Sequence, residues 1–297
     1  MHFRGILNRE GGTLRTLDLD AFSEKMRATL EGAGHTLDLH VVEGKSIVAA
    51  IKAAVESDCD VILVGGGDGT VSCAAGLLAG TEKVLAILPA GTMNLFARSL
   101  AIPQELDAAV ESFADGKVKA VDLASANGRL YVHQFSVGLH PKLITLREEG
   151  DYSSRIGKIW GSIRAAVVAF LNPPLLRATL VVDGQHLSIR TPSLGVSNNL
   201  FGEGHLPYAD AVDDGVLGVY VTRARRKRDL ARAMAGMALG RWKTNAHVDV
   251  QHAKEVTLTV ASASRRLGCA IDGELCPLED VVELKIHPAA LKVLVPS

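Results

Sequence analysis

The sequence has almost no net charge and no long apolar run. Its 32 Lys and Arg residues nearly balance 33 Asp and Glu residues, so the formal net charge is −1. Because such a chain has no overall field to attract a polyanion, we expect no nucleic-acid partner. No stretch of eighteen apolar residues occurs, which predicts that nothing spans a membrane, and residues 1–8 hold too few apolar side chains for a signal peptide. These absences favour a cytoplasmic protein.

Cysteine is scarce, and its spacing is not that of a metal site. The four cysteines stand at positions 59, 73, 269 and 276, without a CxxC pair. The ten histidines likewise show no HExxH or other metal-binding spacing. Cys59 and Cys73 fall in segments predicted to be buried, which favours reduced thiols over a disulfide framework.

The 297 residues suffice for two domains, and the sequence pattern changes near residue 118. Before that point short apolar runs alternate with amphipathic segments, which predicts a mostly parallel sheet flanked by helices. After it come successive strand-like runs, with Asn127–Gly128 and Asp183–Gly184 as two-residue hairpin turns. We therefore predict an α/β domain over residues 1–120 and an antiparallel β domain over residues 121–287.

The stretch Val61–Val71 joins a short apolar run to a glycine-rich turn. The run is typical of a strand buried on both faces, and the residues after Thr70 are typical of a packed helix. Glycines let the backbone turn tightly, and the free N–H groups at the N-terminus of a helix can bind phosphate. Asp68 would repel phosphate unless a divalent cation lay between them. The pattern predicts a phosphate and metal site, with a plain tight turn as the alternative.

A second turn of this kind follows the next apolar run. Leu85–Leu88 is typical of a strand, Pro89–Asn94 of a turn that carries Thr92, and Leu95–Arg98 of a helix start. Because the carboxyl ends of parallel strands line one edge of a sheet, we expect both turns to contribute to one ligand site.

These residues resemble the catalytic family of diacylglycerol kinases, which includes bacterial soluble lipid kinases, sphingosine kinases and ceramide kinases. The resemblance rests on Gly66–Thr70, on Pro89–Arg98 about twenty residues later, and on Ile271–Glu274 near the C-terminus. It spans nearly the whole chain. The family implies a Rossmann-like N-terminal domain of the NAD kinase and phosphofructokinase type and a C-terminal antiparallel β-sandwich, with residues 288–297 returning to the first domain.

The resemblance implies a lipid kinase that uses ATP and Mg²⁺ and phosphorylates the hydroxyl of a diacylglycerol, a ceramide or a sphingoid lipid. It also allows a homodimer. The implied nucleotide site comprises Asn8, Gly12, Gly66, Gly67, Asp68, Gly69, Thr70, Thr92 and Asn94. The implied metal ligands are Asp68 and Asp122 around the nucleotide, and the Asp214 carboxylate with the Ala211 and Val216 carbonyls at a structural magnesium.

The first glycine loop departs from the family pattern. Members usually have Asn-Pro-x-Ser-Gly there, whereas this chain keeps Asn8 and Gly12 and lacks the proline and the serine. The resemblance therefore gives no hydroxyl from this loop to a phosphate.

Two acids near the C-terminus are candidates for the general base. Asp272 and Glu274 would point the same way if the stretch were extended, and one carboxylate could then orient the other. Asp272–Gly273 is equally a common hairpin turn. The family resemblance assigns the base to Glu274 or Asp272 and does not separate them.

Two helical segments interrupt the predicted β domain. An apolar face over residues 156–171 predicts a helix that covers the core or, alternatively, a lid over an acyl-chain groove. The second helix, over Arg228–Leu239, follows the basic run Arg223–Arg228. That run is either a solvated edge or a docking site for anionic lipid headgroups. The second alternative predicts peripheral association with the inner membrane face.

Two other functions fit parts of the sequence. An NAD kinase shares the turn Gly66–Thr70, although Pro89–Asn94 and Ile271–Glu274 argue against it. A non-catalytic lipid-binding protein with a degenerate nucleotide site is favoured only by the altered Asn8–Gly12 loop. Phosphoryl transfer to a panel of lipids would separate these functions.

Overall fold

The structure is a computed structural model that describes residues 1–148, 161, 164, 166–224, 226–264 and 267–297. The chain divides into two compact units. The first unit contains Met1–Leu123, Ala211–Asp214 and His287–Ser297, and the second contains Ala124–Asp210 and Gly215–Ile286. The first unit thus includes a short segment, residues 211–214, from within the region predicted to form the β domain.

The first unit is built on a parallel sheet with flanking helices. Its strands lie in the order β2, β1, β3, β4, followed by the C-terminal end of β16, which pairs with β4 at Lys292 and Val293. The elements are β1 (His2–Asn8), α1 (Leu19–Gly32), β2 (Thr36–Val42), α2 (Ile47–Val55), β3 (Val61–Gly66), α3 (Asp68–Leu78), β4 (Val84–Pro89), α4 (Leu95–Ser99), α5 (Leu106–Ala114), β5 (Lys117–Ala126) and β16 (Val281–Val295), with 3₁₀ turns at Gly12–Thr16 and Gly44–Ser46.

Hydrophobic patterning explains the centre of this sheet. Every residue of β3 and β4 is buried, as expected of strands covered on both faces. On α1 the apolar residues Phe22, Met26 and Leu30 recur every fourth position and are buried, while Asp18 caps the helix by accepting the Ala21 N–H at 3.1 Å. The α/β class predicted for this region is confirmed.

The second unit contains two antiparallel sheets. One has the order β12, β11, β10, β7, β14, β15, and the other joins the N-terminal part of β16 to β13, β8 and β9, with β5 pairing with β6 and β16. The elements are β6 (Arg129–Tyr131), β7 (Gln134–Gly138), α6 (Leu139–Glu148), β8 (Leu176–Val182), β9 (Gln185–Thr191), β10 (Ser193–Asn198), β11 (Leu217–Thr222), α7 (Lys227–Ala238), β12 (Val248–Ala253), β13 (Glu255–Val260), a 3₁₀ turn (Ser262–Ser264), β14 (Gly268–Ile271) and β15 (Glu274–Pro277).

One apolar core joins these two sheets. Val137 and Val196 from the first sheet share a buried cluster with Leu180 and Leu258 from the second. Alternate residues of β8 are buried and exposed, which is the pattern of a strand with one face on the core. The predicted C-terminal β-sandwich is confirmed.

Three hairpins of this unit use the same turn. The central residues of Asn127–Gly128 and Asp183–Gly184 all have positive φ, so these two predicted turns are confirmed. Asp272 and Gly273 also have positive φ, at 46° and 83°, and connect β14 to β15 with Ile271 opposite Glu274. The hairpin alternative is therefore right, and the extended stretch that would have aligned Asp272 with Glu274 is wrong.

The two predicted helices of the β region have different outcomes. Residues 156–160, 162, 163 and 165 of the first lie outside the described residues, and residues 166–171 are helical, with Val167 and Leu171 each 49% exposed. The second helix is α7, one residue earlier than predicted at each end. Among the described residues, no helix is long and apolar enough to cross a membrane.

A half-buried histidine stands at the start of α6. The Nδ1 atom of His140 lies 2.8 Å from Ser136 Oγ and 3.5 Å from Gln134 Nε2. Burial lowers the pKa of His140 to about 4, and the nearby His133 contributes in the same direction. The folded protein therefore keeps this imidazole neutral at pH values where the unfolded chain protonates it.

This difference predicts that acid weakens the fold. Between pH 6.5 and about 4 the unfolded chain binds the extra proton, so the free energy of unfolding should fall with pH, by up to about 3 kcal/mol from this residue. His140→Gln should remove that part of the slope, and the control His252→Gln, at an exposed histidine, should keep it. Urea unfolding across this pH range measures both. Equal slopes in the two variants would contradict the assignment.

Candidate functional site

Three loops of the first unit meet at the carboxyl ends of β1, β3 and β4. A Cβ on Gly11 would lie 3.3 Å from Gly66 Cα, and one on Gly91 would lie 2.8 Å from Gly67 Cα. A Cβ on Gly12, whose φ is +37°, would overlap the Ala90 carbonyl oxygen. Only glycine allows the backbones of these loops to approach so closely. The two motif turns predicted to share one edge of the sheet are therefore in contact.

The helix that follows β3 opens with uncapped N–H groups. Gly67 is the N-cap of α3 and contributes no side chain, and the first N–H to bond within the helix is that of Val71, to the Gly67 carbonyl at 3.1 Å. The N–H groups of Asp68, Gly69 and Thr70 have no acceptor within the helix. With the positive end of the helix dipole, they form a site suited to phosphate.

The Asp68 carboxylate links the two turns. Its Oδ1 accepts the Leu95 N–H at 2.8 Å, and its Oδ2 accepts the Asn94 N–H at 3.1 Å. It therefore caps the first turn of α4, a role that sequence reasoning did not predict. Each carboxylate oxygen can accept another hydrogen bond or a cation, so the predicted metal role is compatible with this capping and stays a prediction.

The second turn is shaped by Asn94. This residue is 9% exposed and lies in the left-handed region at φ 50°. Its Oδ1 accepts the Gly91 N–H at 2.8 Å, and its Nδ2 donates to the Pro89 carbonyl at 3.0 Å. The amide is used inside the loop, whereas Thr92 is exposed and makes no hydrogen bond to another described residue. Of the two, Thr92 has the side chain that is exposed, and its predicted contact with the nucleotide stays a prediction.

The first loop is held by polar contacts that the sequence did not reveal. Asn8 accepts the Glu10 N–H on its Oδ1 at 3.1 Å and the Gly11 N–H on its carbonyl at 2.9 Å. Glu10 in turn accepts the Gly44 N–H at 3.0 Å, which connects this loop to the turn after β2. Asn8 thus shapes the loop, and Gly12 lets it contact Ala90.

Asp122 is a buried acid of the first unit. It is 2% exposed, its Oδ1 accepts the Ala289 N–H at 2.9 Å, and its backbone N–H donates to the Val212 carbonyl at 2.8 Å. The acid therefore joins β5 to the returning strand β16 and to residues 211–214. Its predicted place in a magnesium-water network stays a prediction.

The predicted structural magnesium loop offers few ligands. Asp214 is exposed, and the neighbouring Asp213 instead pairs with Lys119 at 2.9 Å. The Val216 carbonyl, in the second unit, accepts the Asn199 N–H at 3.0 Å. In the part of the chain that the structure describes, no group of three or more His, Cys, Asp or Glu side chains is placed to hold a metal. The assignment of Ala211, Asp214 and Val216 stays a prediction.

The two C-terminal acids occupy different environments in the second unit. Asp272 accepts three backbone N–H groups, from Val132 at 2.9 Å, His133 at 2.9 Å and Gln134 at 3.0 Å. Glu274 has a side chain 61% exposed and forms an ion pair with Arg129. Asp272 is therefore engaged by three backbone donors, and Glu274 has the more exposed carboxylate.

The second unit also contains an apolar cavity of about 290 Å³, whose lining residues sequence reasoning did not identify. Apolar side chains from α6, α7 and the loops around them line most of it: Leu139, Leu143, Phe201, Met234, Met237 and Trp242. A polar wall is formed by Gln134, Ser136 and His140. The acyl-chain groove offered as an alternative for residues 156–171 was one sequence signal, whereas the pair of methionines on α7, next to the more conspicuous basic run, was not singled out.

That basic run is partly neutralised. Arg223 pairs with Asp249 at 2.6 Å, and Arg228 pairs with Asp229 at 3.7 Å. Arg225 lies outside the described residues. These ion pairs reduce the number of cations that the run can present to an anionic surface.

Comparison with known proteins agrees with both units. Residues 2–126 match the family model of the diacylglycerol kinase catalytic domain, and residues 162–295 match that of the YegS C-terminal NAD kinase beta sandwich-like domain. A diacylglycerol kinase of Mycobacterium tuberculosis is 30% identical over 262 residues, covering 83% of this chain and 80% of that protein. The "Probable lipid kinase YegS-like" of Pseudomonas aeruginosa is 29% identical over 290 residues, covering 93% and 91%.

A solved structure supports the same fold. The crystal structure of a diacylglycerol kinase from Bacillus anthracis superposes with a TM-score of 0.72 at 19% identity, covering 99% of this chain and 96% of that one. Sequence similarity along most of the chain, both domain matches and the shared fold lead to one conclusion: the chain belongs to the diacylglycerol kinase catalytic family, a family of lipid kinases.

Proposed function

We propose that this lipid kinase transfers the γ-phosphate of ATP to the hydroxyl of a lipid alcohol. The observation that carries the proposal is the uncapped N-terminus of α3, where three glycine loops bring their backbones together. Free N–H groups and a helix dipole favour a polyphosphate at this place. Phosphoryl transfer depends mainly on such positioning and on electrostatic stabilisation.

ATP is expected as its magnesium complex, in which the cation neutralises phosphate charge. Asp68 and Asp122 are the acids that we assign to this ion, since carboxylate oxygens suit a hard cation. Gly67, Gly69 and Thr70 contribute backbone to the phosphates, and Thr92 contributes its hydroxyl. The capping bonds of Asp68 hold its carboxylate in one orientation beside them.

We assign the general base to Glu274 and a positioning role to Asp272. A base must accept a proton from the acceptor hydroxyl, which requires an accessible oxygen. Both oxygens of Asp272 already accept backbone N–H groups, whereas Glu274 is exposed and has Arg129 as its partner. Asp272 fixes the hairpin that carries Glu274.

The lipid acceptor is assigned to the second unit. An apolar cavity beside α6 and α7 suits a hydrocarbon chain, and its polar wall suits the ester, amide or hydroxyl groups of a diacylglycerol, a ceramide or a sphingoid base. Peripheral membrane association through Arg223–Arg228 and a homodimer stay predictions. Arg226 and Lys227 are the cations of this run best placed for headgroups, since both are exposed and no ion pair among the described residues involves them.

The proposal is tested by labelled phosphate transfer from ATP to a lipid panel, with NAD included as an acceptor. The lipids are presented in anionic and in zwitterionic vesicles, so that the contribution of the basic run is measured in the same assay. Transfer to a lipid supports the proposal. Transfer to NAD alone would identify an NAD kinase, and lipid binding without transfer would identify a binding protein.

Removing the Asp68 carboxylate should abolish transfer. We expect Asp68→Ala to lower kcat by roughly 10²-fold or more, since the charge beside the phosphates is lost, and to cost about 1–2 kcal/mol of stability, since the cap of α4 is lost. Asp18→Ala is the matched control, because it removes a helix-capping acid from α1. Steady-state transfer and urea unfolding are measured on both. A folded Asp68→Ala enzyme with near-normal turnover would refute the role.

Substitutions of the two acids of the hairpin should differ in their effect on the free energy of unfolding. We expect Glu274→Gln to lower kcat by roughly 10²-fold or more while changing the free energy of unfolding by less than about 0.5 kcal/mol, as at other exposed sites. Asp272→Asn should lower both kcat and stability, the latter by about 1–3 kcal/mol, because one of the two oxygens that accept part-buried backbone N–H groups is replaced by an NH₂ donor. Nucleotide affinity, measured by calorimetry, should change little in either variant.

The control for these variants is Glu279→Gln, an exposed glutamate in the loop that follows β15. It should leave kcat and stability unchanged. If Glu274→Gln kept kcat within a few-fold of the wild type, the base would lie elsewhere.

Filling the cavity should change lipid use without changing nucleotide binding. Gly195 lines the cavity, and a Cβ there would meet its nearest neighbour, Gln134, at 3.7 Å, so a side chain fits the strand and projects into free space. We expect Gly195→Val to raise KM for long-chain lipids by about tenfold. This is the size of effect that one or two methylene groups have on substrate discrimination in an apolar pocket. Gly195→Ala should have a smaller effect. Unchanged KM in both variants would exclude this cavity as the chain site.

A further inference from the structure

Two cysteines face each other across the hairpin that carries Asp272 and Glu274. Cys269 on β14 is directly opposite Cys276 on β15, and their sulfur atoms are 3.3 Å apart. Residues directly opposite in an antiparallel pair have Cα atoms about 4.5–5.5 Å apart, which falls within the range of about 4.4–6.8 Å seen in disulfides. The backbone is therefore already placed for a bond between the two sulfurs.

The two thiols differ in access to solvent. Cys269 is 3% exposed and belongs to the core of the sandwich, and burial raises its pKa to about 12. Cys276 is partly exposed, and its strand is the last of its sheet, paired only with β14 among the strands that the structure describes. An oxidant can therefore reach Cys276 first, while Cys269 stays protonated beside it.

We propose that Cys269 and Cys276 are a reversible oxidation site, whose disulfide clamps β15 to β14 beside the turn at Asp272 and Gly273. The oxidant class is a low-molecular-weight disulfide. The site goes beyond the proposed function, because nothing in the phosphoryl-transfer chemistry uses a thiol.

The reaction proceeds by two thiol–disulfide exchanges. The Cys276 thiolate attacks one sulfur of the small disulfide, forms a mixed disulfide and releases one small thiol. Cys269 then loses its proton and attacks the Cys276 sulfur, which forms the bond within the protein and releases the second small thiol. The two cysteines are oxidised, and the small disulfide is reduced to two thiols that carry the two protons.

Only a small movement is needed for the second step. The sulfurs must approach by about 1.3 Å to reach the bonded distance of a disulfide. Among the described residues β15 has no second neighbouring strand, so its only strand pairing is with β14. The disulfide would add a covalent bond to that pairing. The cross-link should restrain Leu275 and Cys276 and reduce opening of the strand that begins at Glu274.

The test uses the full chain with Cys59→Ser and Cys73→Ser, so that only the opposed pair remains. Reduced protein is incubated with oxidised glutathione, quenched with acid, and analysed by intact mass and peptide mapping. We expect the loss of two hydrogen atoms and a cross-linked peptide containing both cysteines, reversed by dithiothreitol. Hydrogen exchange at Leu275 and Cys276 should be slower in the oxidised form.

The control is Cys276→Ser in the same background, which should neither lose two hydrogens nor change its hydrogen exchange. Wild-type protein is measured in parallel, in case the two background serines weaken the fold. A lasting glutathione adduct on Cys276, an unreacted pair, or a cross-link that leaves exchange at β15 unchanged would overturn the proposal. Because none of these readouts involves phosphoryl transfer, failure of the proposed function would leave the result interpretable.

Discussion

The close backbone contact between three loops of the first unit is the constraint on which the candidate nucleotide site depends. Gly11 and Gly12 approach the turns after β3 and β4, and Gly67 approaches Gly91. This contact leaves little room for side chains and brings main-chain N–H groups to the surface at the start of α3. A site built in this way presents fixed dipoles to a phosphate, so little reorganisation is needed when the ligand binds.

Aspartate and asparagine side chains hold that backbone in place. The hydrogen bonds that they make to it leave fewer of their atoms free to bind a ligand. Asp68 and Asn94 each satisfy backbone groups of the second turn, and Asp272 satisfies three N–H groups in the other unit. Their partners are main-chain atoms in part-buried positions, and a substitution that removes the polar side chain would leave these atoms without that acceptor or donor. A loss of activity in a variant of these residues therefore needs a stability measurement beside it.

The sequence predicts the fold well where local chemistry decides it. Continuous apolar runs predicted β3 and β4, and the residue pairs Asn127–Gly128 and Asp183–Gly184 predicted hairpin turns, because few residues tolerate two successive positive φ angles. The same chemistry at Asp272–Gly273 supported the hairpin alternative against the extended one.

The sequence predicts the site less completely, because its contacts join distant parts of the chain. Asp272 accepts N–H groups about 140 residues earlier, and no spacing rule connects them. The cavity arises from the packing of α6 and α7 against strands and loops, so its lining has no periodic signature. The turn sequence predicts Asp68 as a site residue, whereas its capping of α4 depends on the approach of two separate loops.

The strand β16 has a consequence for how the protein folds. It pairs with β13 near its beginning and with β4 near its end, and some 200 residues separate Lys292 from its partner Val84. Contacts between such distant residues form slowly, because a long loop must close before they are made. Until β16 arrives, the β4 side of the parallel sheet lacks a neighbour, and an unpaired strand edge is prone to association with other chains. Folding of the first unit during synthesis should therefore remain incomplete until nearly the last residues of β16 have emerged from the ribosome.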